Sequence, residues 1–233
     1  MSGPQRTGIL GGTFDPIHLG HVEAADAARR ALGLDVVIIV PSLTPPHRVP
    51  QPCASVFHRF AMAALAVAGR QGLVTSDLEL RIDTPSYTSA TLARLHAQGF
   101  EPSQLFFITG SDAFAEIATW YDYPHLLDLS HFAVISRRGT SLDSLPRLLP
   151  NLAGRMRDAR NARPDGMTPS IFLVDALTPH VSSTEIRRRV AAGEPFDELV
   201  PELVAGHIRT HRLYEPRPAG PSSGAVSGGL RSA

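Results

Sequence analysis

The 233-residue chain contains no lysine, and arginine fills all 22 of its Lys and Arg positions. Any phosphate it handles must therefore be met by arginine, histidine, hydroxyls or backbone N–H groups. A single cysteine, Cys53, excludes an internal disulfide and a multi-cysteine metal site, and suits a reducing cytoplasm. Charge of either sign is not in excess, with 22 basic against 22 acidic residues and no long basic run. Nucleic acid and anionic membranes are thus not expected partners. Long apolar runs are missing as well: Ala61 to Gly69 is too short to span a bilayer, and no leader-like segment opens the chain. Small ligands in the cytoplasm are what remains, and composition neither requires nor rules out a homo-oligomer.

What is present is a βα rhythm. Short apolar runs at Thr7 to Leu10, Asp35 to Val40, Leu73 to Leu80, Leu105 to Gly110, His131 to Ser136 and Ile171 to Asp175 read as strands, the one at Asp35 to Val40 continuously β-branched, as inside a parallel sheet. Helical patterns alternate with them at Leu19 to Leu32, from a Ser55 cap to Gly69, from Thr88 to Gln98, at a short helix after Ser111-Asp112, at Ser183 to Ala192 and at Pro201 to Arg212. The expected fold is α/β, a parallel sheet with helices on both faces and right-handed crossovers. Residues 1–215 are expected to form one domain, and the Gly/Ser/Pro-rich residues 216–233 a disordered tail. Leu142 to Asp165 reads as a surface excursion with a helix around Leu152 to Arg160. The first strand is not followed by G-x-G-x-x-G, which disfavours a dinucleotide-binding dehydrogenase.

The most informative stretch is Gly11-Gly12-Thr13-Phe14-Asp15-Pro16-Ile17-His18-Leu19-Gly20-His21. The glycines end the first strand, and His18 and His21, three apart, share one face of a helix's first turn, where free N–H groups already favour an anion. Gly20 leaves no side chain between them. Two imidazoles so placed can donate to phosphate oxygens and offset charge developing there.

That string resembles the signature of the nucleotidylyltransferase superfamily, and Val181-Ser182-Ser183-Thr184-Glu185-Ile186-Arg187 resembles its second motif, which starts a late helix and holds the ATP phosphates. Pro45-Pro46-His47-Arg48, Pro85-Ser86-Tyr87-Thr88, Gly110-Ser111-Asp112 and Thr119-Trp120-Tyr121 are further similar to the bacterial nicotinate-nucleotide adenylyltransferases, which make deamido-NAD and pyrophosphate from ATP and nicotinate mononucleotide in NAD biosynthesis. The resemblance implies a Rossmann-like nucleotidylyltransferase fold and catalytic roles for His18, His21 and Arg187. It implies an ATP site of Gly11, Gly12, Thr13, Phe14, His18, Gly20, His21, Gly110, Asp112, Ser183, Thr184 and Arg187. For the mononucleotide it implies Ser42, His47, Arg48, Thr88, Trp120, Tyr121 and Arg137, with Trp120 stacked on the pyridine ring and Thr88 and the Tyr121 N–H on its carboxylate. Magnesium is expected on the ATP phosphates, without protein ligands of its own. Arg188 and Arg189 read as a solvated helix face. A relative using nicotinamide mononucleotide, phosphopantetheine or a cytidine nucleotide, and a non-catalytic nucleotide-binding regulatory domain, stand as alternatives.

Overall fold

The computed structural model describes residues 5–45, 51–81, 85–136, 142–162, 164, 167–176 and 178–216. His47, Arg48, Arg137 and the expected tail beyond Pro216 lie outside the described residues. Among the described residues, seven strands form one parallel sheet: β1 (Thr7–Gly12), β2 (Val36–Pro41), β3 (Leu73–Thr75), β4 (Leu105–Gly110), β5 (His131–Ile135), β6 (Met156–Asp158) and β7 (Ile171–Val174), in the order β3-β2-β1-β4-β5-β7-β6. The α-helices are α1 (Leu19–Leu32), α2 (Val56–Val67), α3 (Thr88–Ala97), α4 (Ser111–Ala115), α5 (Leu145–Leu148), α6 (Ser183–Ala192) and α7 (Glu202–Thr210).

Strand alternation divides the core in two. Leu10, Val37, Ile39, Phe106, Ile108 and Phe172 bury one face with Val22 and Ala25 of α1, Met62 of α2 and Val204 and Ile208 of α7. Ile9, Val40, Phe107, Phe132 and Val134 bury the other with Leu92 and Leu95 of α3 and Phe114 of α4. A side chain of this size contributes about 1.5–3 kcal/mol when fully buried. Strand order reverses at β1, which pairs with β2 on one side and β4 on the other. In an open parallel sheet that reversal leaves a crevice beyond the carboxyl ends of the strands, and ligands bind there.

Two expectations need correction. β3 stops at Thr75 instead of running to Leu80, because Ser76 turns the chain: the Leu78 N–H donates to Ser76 Oγ at 3.2 Å and the Leu80 N–H to the Asp77 carbonyl at 2.9 Å. The helix expected over Leu152 to Arg160 is a 3-10 turn, Pro150–Arg155, followed by edge strand β6. Nor is this segment a mere surface excursion, since Leu142, Leu145, Leu152 and Met156 are buried in the second core. Pairing with β7 supplies β6 with the hydrogen-bond partners that a three-residue strand cannot advertise locally. Smaller differences concern caps: Gly110, not Ser111 or Asp112, is the N-cap of α4, whereas Ser55 caps α2 by accepting from the His58 N–H.

Candidate active site

Between the end of β1 and the start of α1, residues 13–18 cross the sheet's reversal point as a loop tied at nearly every step. Arg59, 1% exposed on α2, donates to the carbonyls of Thr13 (2.7 Å), Ser42 (2.7 Å) and Leu43 (3.3 Å), joining the loops that follow β1 and β2. A guanidinium taken out of water needs such acceptors, and these are backbone groups that would otherwise be short of donors. The buried Asp15 carboxylate accepts from the N–H groups of Cys53 (2.8 Å) and Ala54 (3.1 Å) and from the Tyr214 hydroxyl (2.8 Å). Burial, then the Asp15 charge beside it, pushes the Tyr214 phenol well above its usual range, so it stays protonated and donates. Ser183 Oγ donates to the Pro16 carbonyl at 2.8 Å, and Arg187 donates to the Asp15 carbonyl at 2.7 Å and to Thr184 Oγ1 at 3.3 Å. The start of α6 is thereby bolted to the loop from the far end of the sequence.

His18 is the N-cap of α1 and is 2% exposed; its imidazole lies parallel to that of His21, centroids 3.6 Å apart. The His18 N–H donates to Nδ1 of His21 at 3.3 Å, which leaves a neutral His21 with its proton on Nε2. Phe14, buried, meets the His21 ring edge-on at 5.1 Å. Two glycines make room. A Cβ on Gly12 would stand 2.9 Å from the Phe14 ring, and one on Gly20 would stand 3.1 Å from the His18 imidazole and 3.2 Å from the Pro179 carbonyl.

A cavity of about 350 Å³ opens beside this loop, lined at one end by Gly11, Gly12, Thr13, His21, Ser42 and Gly110, and at the other by Thr88, Trp120 and Tyr121. A second cavity, about 180 Å³, lies against Gly20 and the Thr178 to Ser182 segment, and Asp112 lines both. His18, Phe14, Ser183, Thr184 and Arg187 line neither; they support the loop and α6 from behind. Of three consecutive arginines only Arg187 turns to the loop. Arg188 bonds Glu185 and Glu194 and Arg189 bonds Glu185 and Glu198, pairs that hold the Glu185 carboxyl down at about 2.

At the aromatic end, Trp120 is half-buried and edge-on to Phe107 at 6.0 Å, while Tyr121, 60% exposed, stacks on Tyr87 at 4.4 Å. Glu79 also faces this cavity, 7% exposed, with Oε1 accepting from Thr91 Oγ1 at 2.6 Å. Burial raises its pKa, with hydrogen bonds from Ser86 and Thr91 opposing. Sequence reasoning did not single out Glu79, Asp15, Arg59 or Tyr214. Glu79 was hidden by the Leu78-Glu79-Leu80 alternation, which reads as a strand with its acid facing solvent; the others act through partners distant in sequence.

The chain matches the family model described as cytidylyltransferase-like over residues 9–189. It is 40% identical over 216 residues to the probable nicotinate-nucleotide adenylyltransferase of Moorella thermoacetica, covering 92% of this chain and 94% of that one. It is 38% identical over 209 residues to the protein of the same description from Roseiflexus sp., covering 89% and 96%. Its fold matches Plasmodium falciparum nicotinic acid mononucleotide adenylyltransferase, solved complexed with NaAD, at TM-score 0.67 and 18% identity over 90% of this chain and 97% of that one. Among the described residues no helix is long and apolar enough to cross a membrane. The chain belongs to the cytidylyltransferase-like nucleotidylyltransferases, with the nicotinate-nucleotide adenylyltransferases as its family.

Proposed function

We propose that this chain transfers the adenylyl group of ATP to nicotinate mononucleotide, giving deamido-NAD and pyrophosphate, with the cavity beside β1 and β4 as the place of reaction. The observation that carries the reading is the continuity of that cavity from His21 and the glycine loop to Thr88, Trp120 and Tyr121. One end offers imidazole and backbone donors, the other an aromatic face and a helix start.

A phosphate oxygen of the acceptor attacks the α-phosphorus of ATP in line; the new P–O bond forms as the bond to the pyrophosphate oxygen breaks, and pyrophosphate leaves with the electron pair. No side chain needs to act as nucleophile. The work is to hold two anions together and to stabilise charge on the α-phosphate oxygens and the leaving group. His21 supplies the Nε2–H donor at the cavity wall. His18, stacked behind it, and Gly20 set its position, and Ser183, Thr184 and Arg187 fix the loop to the N-terminus of α6, whose free N–H groups favour phosphate. Asp112, Gly110 and Ser42 flank the nucleotides. His47, Arg48 and Arg137 complete the mononucleotide phosphate site in this reading.

Magnesium belongs to the same reading. It takes oxygen ligands and keeps several waters. Asp112 and the buried Glu79 are the carboxylates at the cavities, and among the described residues no group of three or more candidate ligands gathers at either. That donor set fits an ion carried by the triphosphate, where it neutralises charge, more than one caged by protein. The deciding experiment is pyrophosphate release from ATP with nicotinate mononucleotide, nicotinamide mononucleotide and phosphopantetheine as acceptors. Release only with one of the latter two, or with none, overturns the reading.

A further inference from the structure

On the outer side of the first core, away from both cavities, three histidines meet between two helices. His58 sits in the first turn of α2, and His207 and His211 lie one turn apart at the end of α7. Their candidate donor nitrogens all fall within 4.8 Å of one another, and His58 Nδ1 is already 3.1 Å from His207 Nε2. The rings converge, with centroids 4.9 Å apart for His58 and His211 and 4.4 Å apart for His207 and His211.

The geometry is close to that of a three-imidazole metal site. A tetrahedral zinc ion with Zn–N bonds of about 2.0–2.1 Å separates its nitrogens by about 3.3–3.4 Å, so one pair is at that spacing and the others need small side-chain rotations. Two histidines four apart on a helix present both nitrogens on one face, and a third from a neighbouring helix completes a trigonal base with one position left for water. His58 and His207 are half-buried and His211 is exposed, which leaves the ion a path in.

We propose that His58, His207 and His211 bind a zinc-class transition-metal ion that clamps α7 onto α2. The clamp lies next to the catalytic loop by two routes. Arg59, adjacent to His58, holds the Thr13 and Ser42 carbonyls, and the chain leaving α7 delivers Tyr214 to Asp15. The site's role is thus to secure the C-terminal helix, and it stands or falls independently of which acceptor the cavity takes.

The test is titration of chelator-treated full-length protein with Co²⁺ and with Zn²⁺. One equivalent of Co²⁺ should give the intense visible bands of four-coordinate cobalt, and Zn²⁺ should displace it. Zinc at a hundred times its Kd should raise Tm by about 5–10 °C. His211→Ala removes an exposed ligand without opening the core and should weaken binding by at least about a hundredfold while metal-free turnover persists. His58→Asn should behave alike, whereas His21→Ala should keep the bands. Absence of four-coordinate bands in the wild type overturns the proposal. So does retention of wild-type affinity in both His211→Ala and His58→Asn, which would place the metal elsewhere.

Discussion

The two ends of the cavity beside β1 and β4, the phosphate end and the ring end of the proposed reading, are built on opposite plans. At the phosphate end the working groups are few and the scaffold behind them is dense: His18, Asp15 and Arg59 are each no more than 2% exposed, and the loop is tied to α2, α6 and Tyr214 by side-chain hydrogen bonds. At the ring end the working groups are themselves the wall. Trp120 is half-buried with its edge on Phe107, and Tyr121 is largely exposed and stacks on Tyr87. Charge that develops during reaction must meet donors that do not move, whereas a flat ring needs only a surface to lie on. The first end should therefore govern turnover and the second choice of substrate.

The largest expected effect tests the ring end. Nicotinate presents a carboxylate where nicotinamide presents an amide with its own N–H donors, and Thr88 with the Tyr121 N–H would pair with the first and oppose the second. A site built for such pairing discriminates by about 10⁴, so kcat/KM should favour the acid by about that factor. Comparable values for the two mononucleotides would remove Thr88 and Tyr121 from the assignment.

Next comes the phosphate end. His21→Ala should lower kcat by about 10²–10³, the loss of one transition-state donor, while KM changes little and the far-ultraviolet circular dichroism stays native. Near-normal kcat in the folded variant would break the comparison, since turnover would not then depend on this loop. Trp120→Ala should raise KM for either mononucleotide by about two- to tenfold, from about 0.5–1.5 kcal/mol of lost stacking, and leave the acid-to-amide ratio unchanged. A shift in that ratio would mean that the indole reads the substituent as well as the ring.

The smallest effect concerns Glu79. Its carboxyl binds a proton more tightly in the folded protein than in the unfolded chain, chiefly because it is buried. The stability it contributes is complete below the ordinary value of 4.5 and is lost as pH rises through the folded value. Wild-type Tm should therefore fall relative to Glu79→Gln as pH rises above the ordinary value of 4.5, since the amide mimics the protonated acid at every pH. Parallel Tm profiles would show that Glu79 is ionised in the fold.

The elements legible in the sequence are those whose signal is contiguous. β1, β2, β4, β5 and β7 are built on short apolar runs, and α1, α2, α3, α6 and α7 carry their own period, with Ser55 and Ser182 capping α2 and α6. His18 and His21 could be read as a pair because one helical turn brings them together whatever the rest of the chain does, and the same is true of Ser183, Thr184 and Arg187 on α6. Thr88, Trp120 and Tyr121 could be named only through family resemblance, since nothing local sets them on one wall. That they share a cavity follows from the sheet order, which places the ends of β1 and β4 side by side.

Tertiary contact decided the remainder. β6 exists because β7 offers it a ladder, and β3 ends early because Ser76 bonds the chain into a turn. Asp15 meets Tyr214 across 199 positions and Arg59 meets Thr13 across 46, distances over which no periodicity carries information. Local pattern reports backbone propensity and the side of an element that is buried. A buried polar group's partner depends instead on which segments the finished fold sets in contact, because its desolvation must be balanced by whatever donor or acceptor lies there.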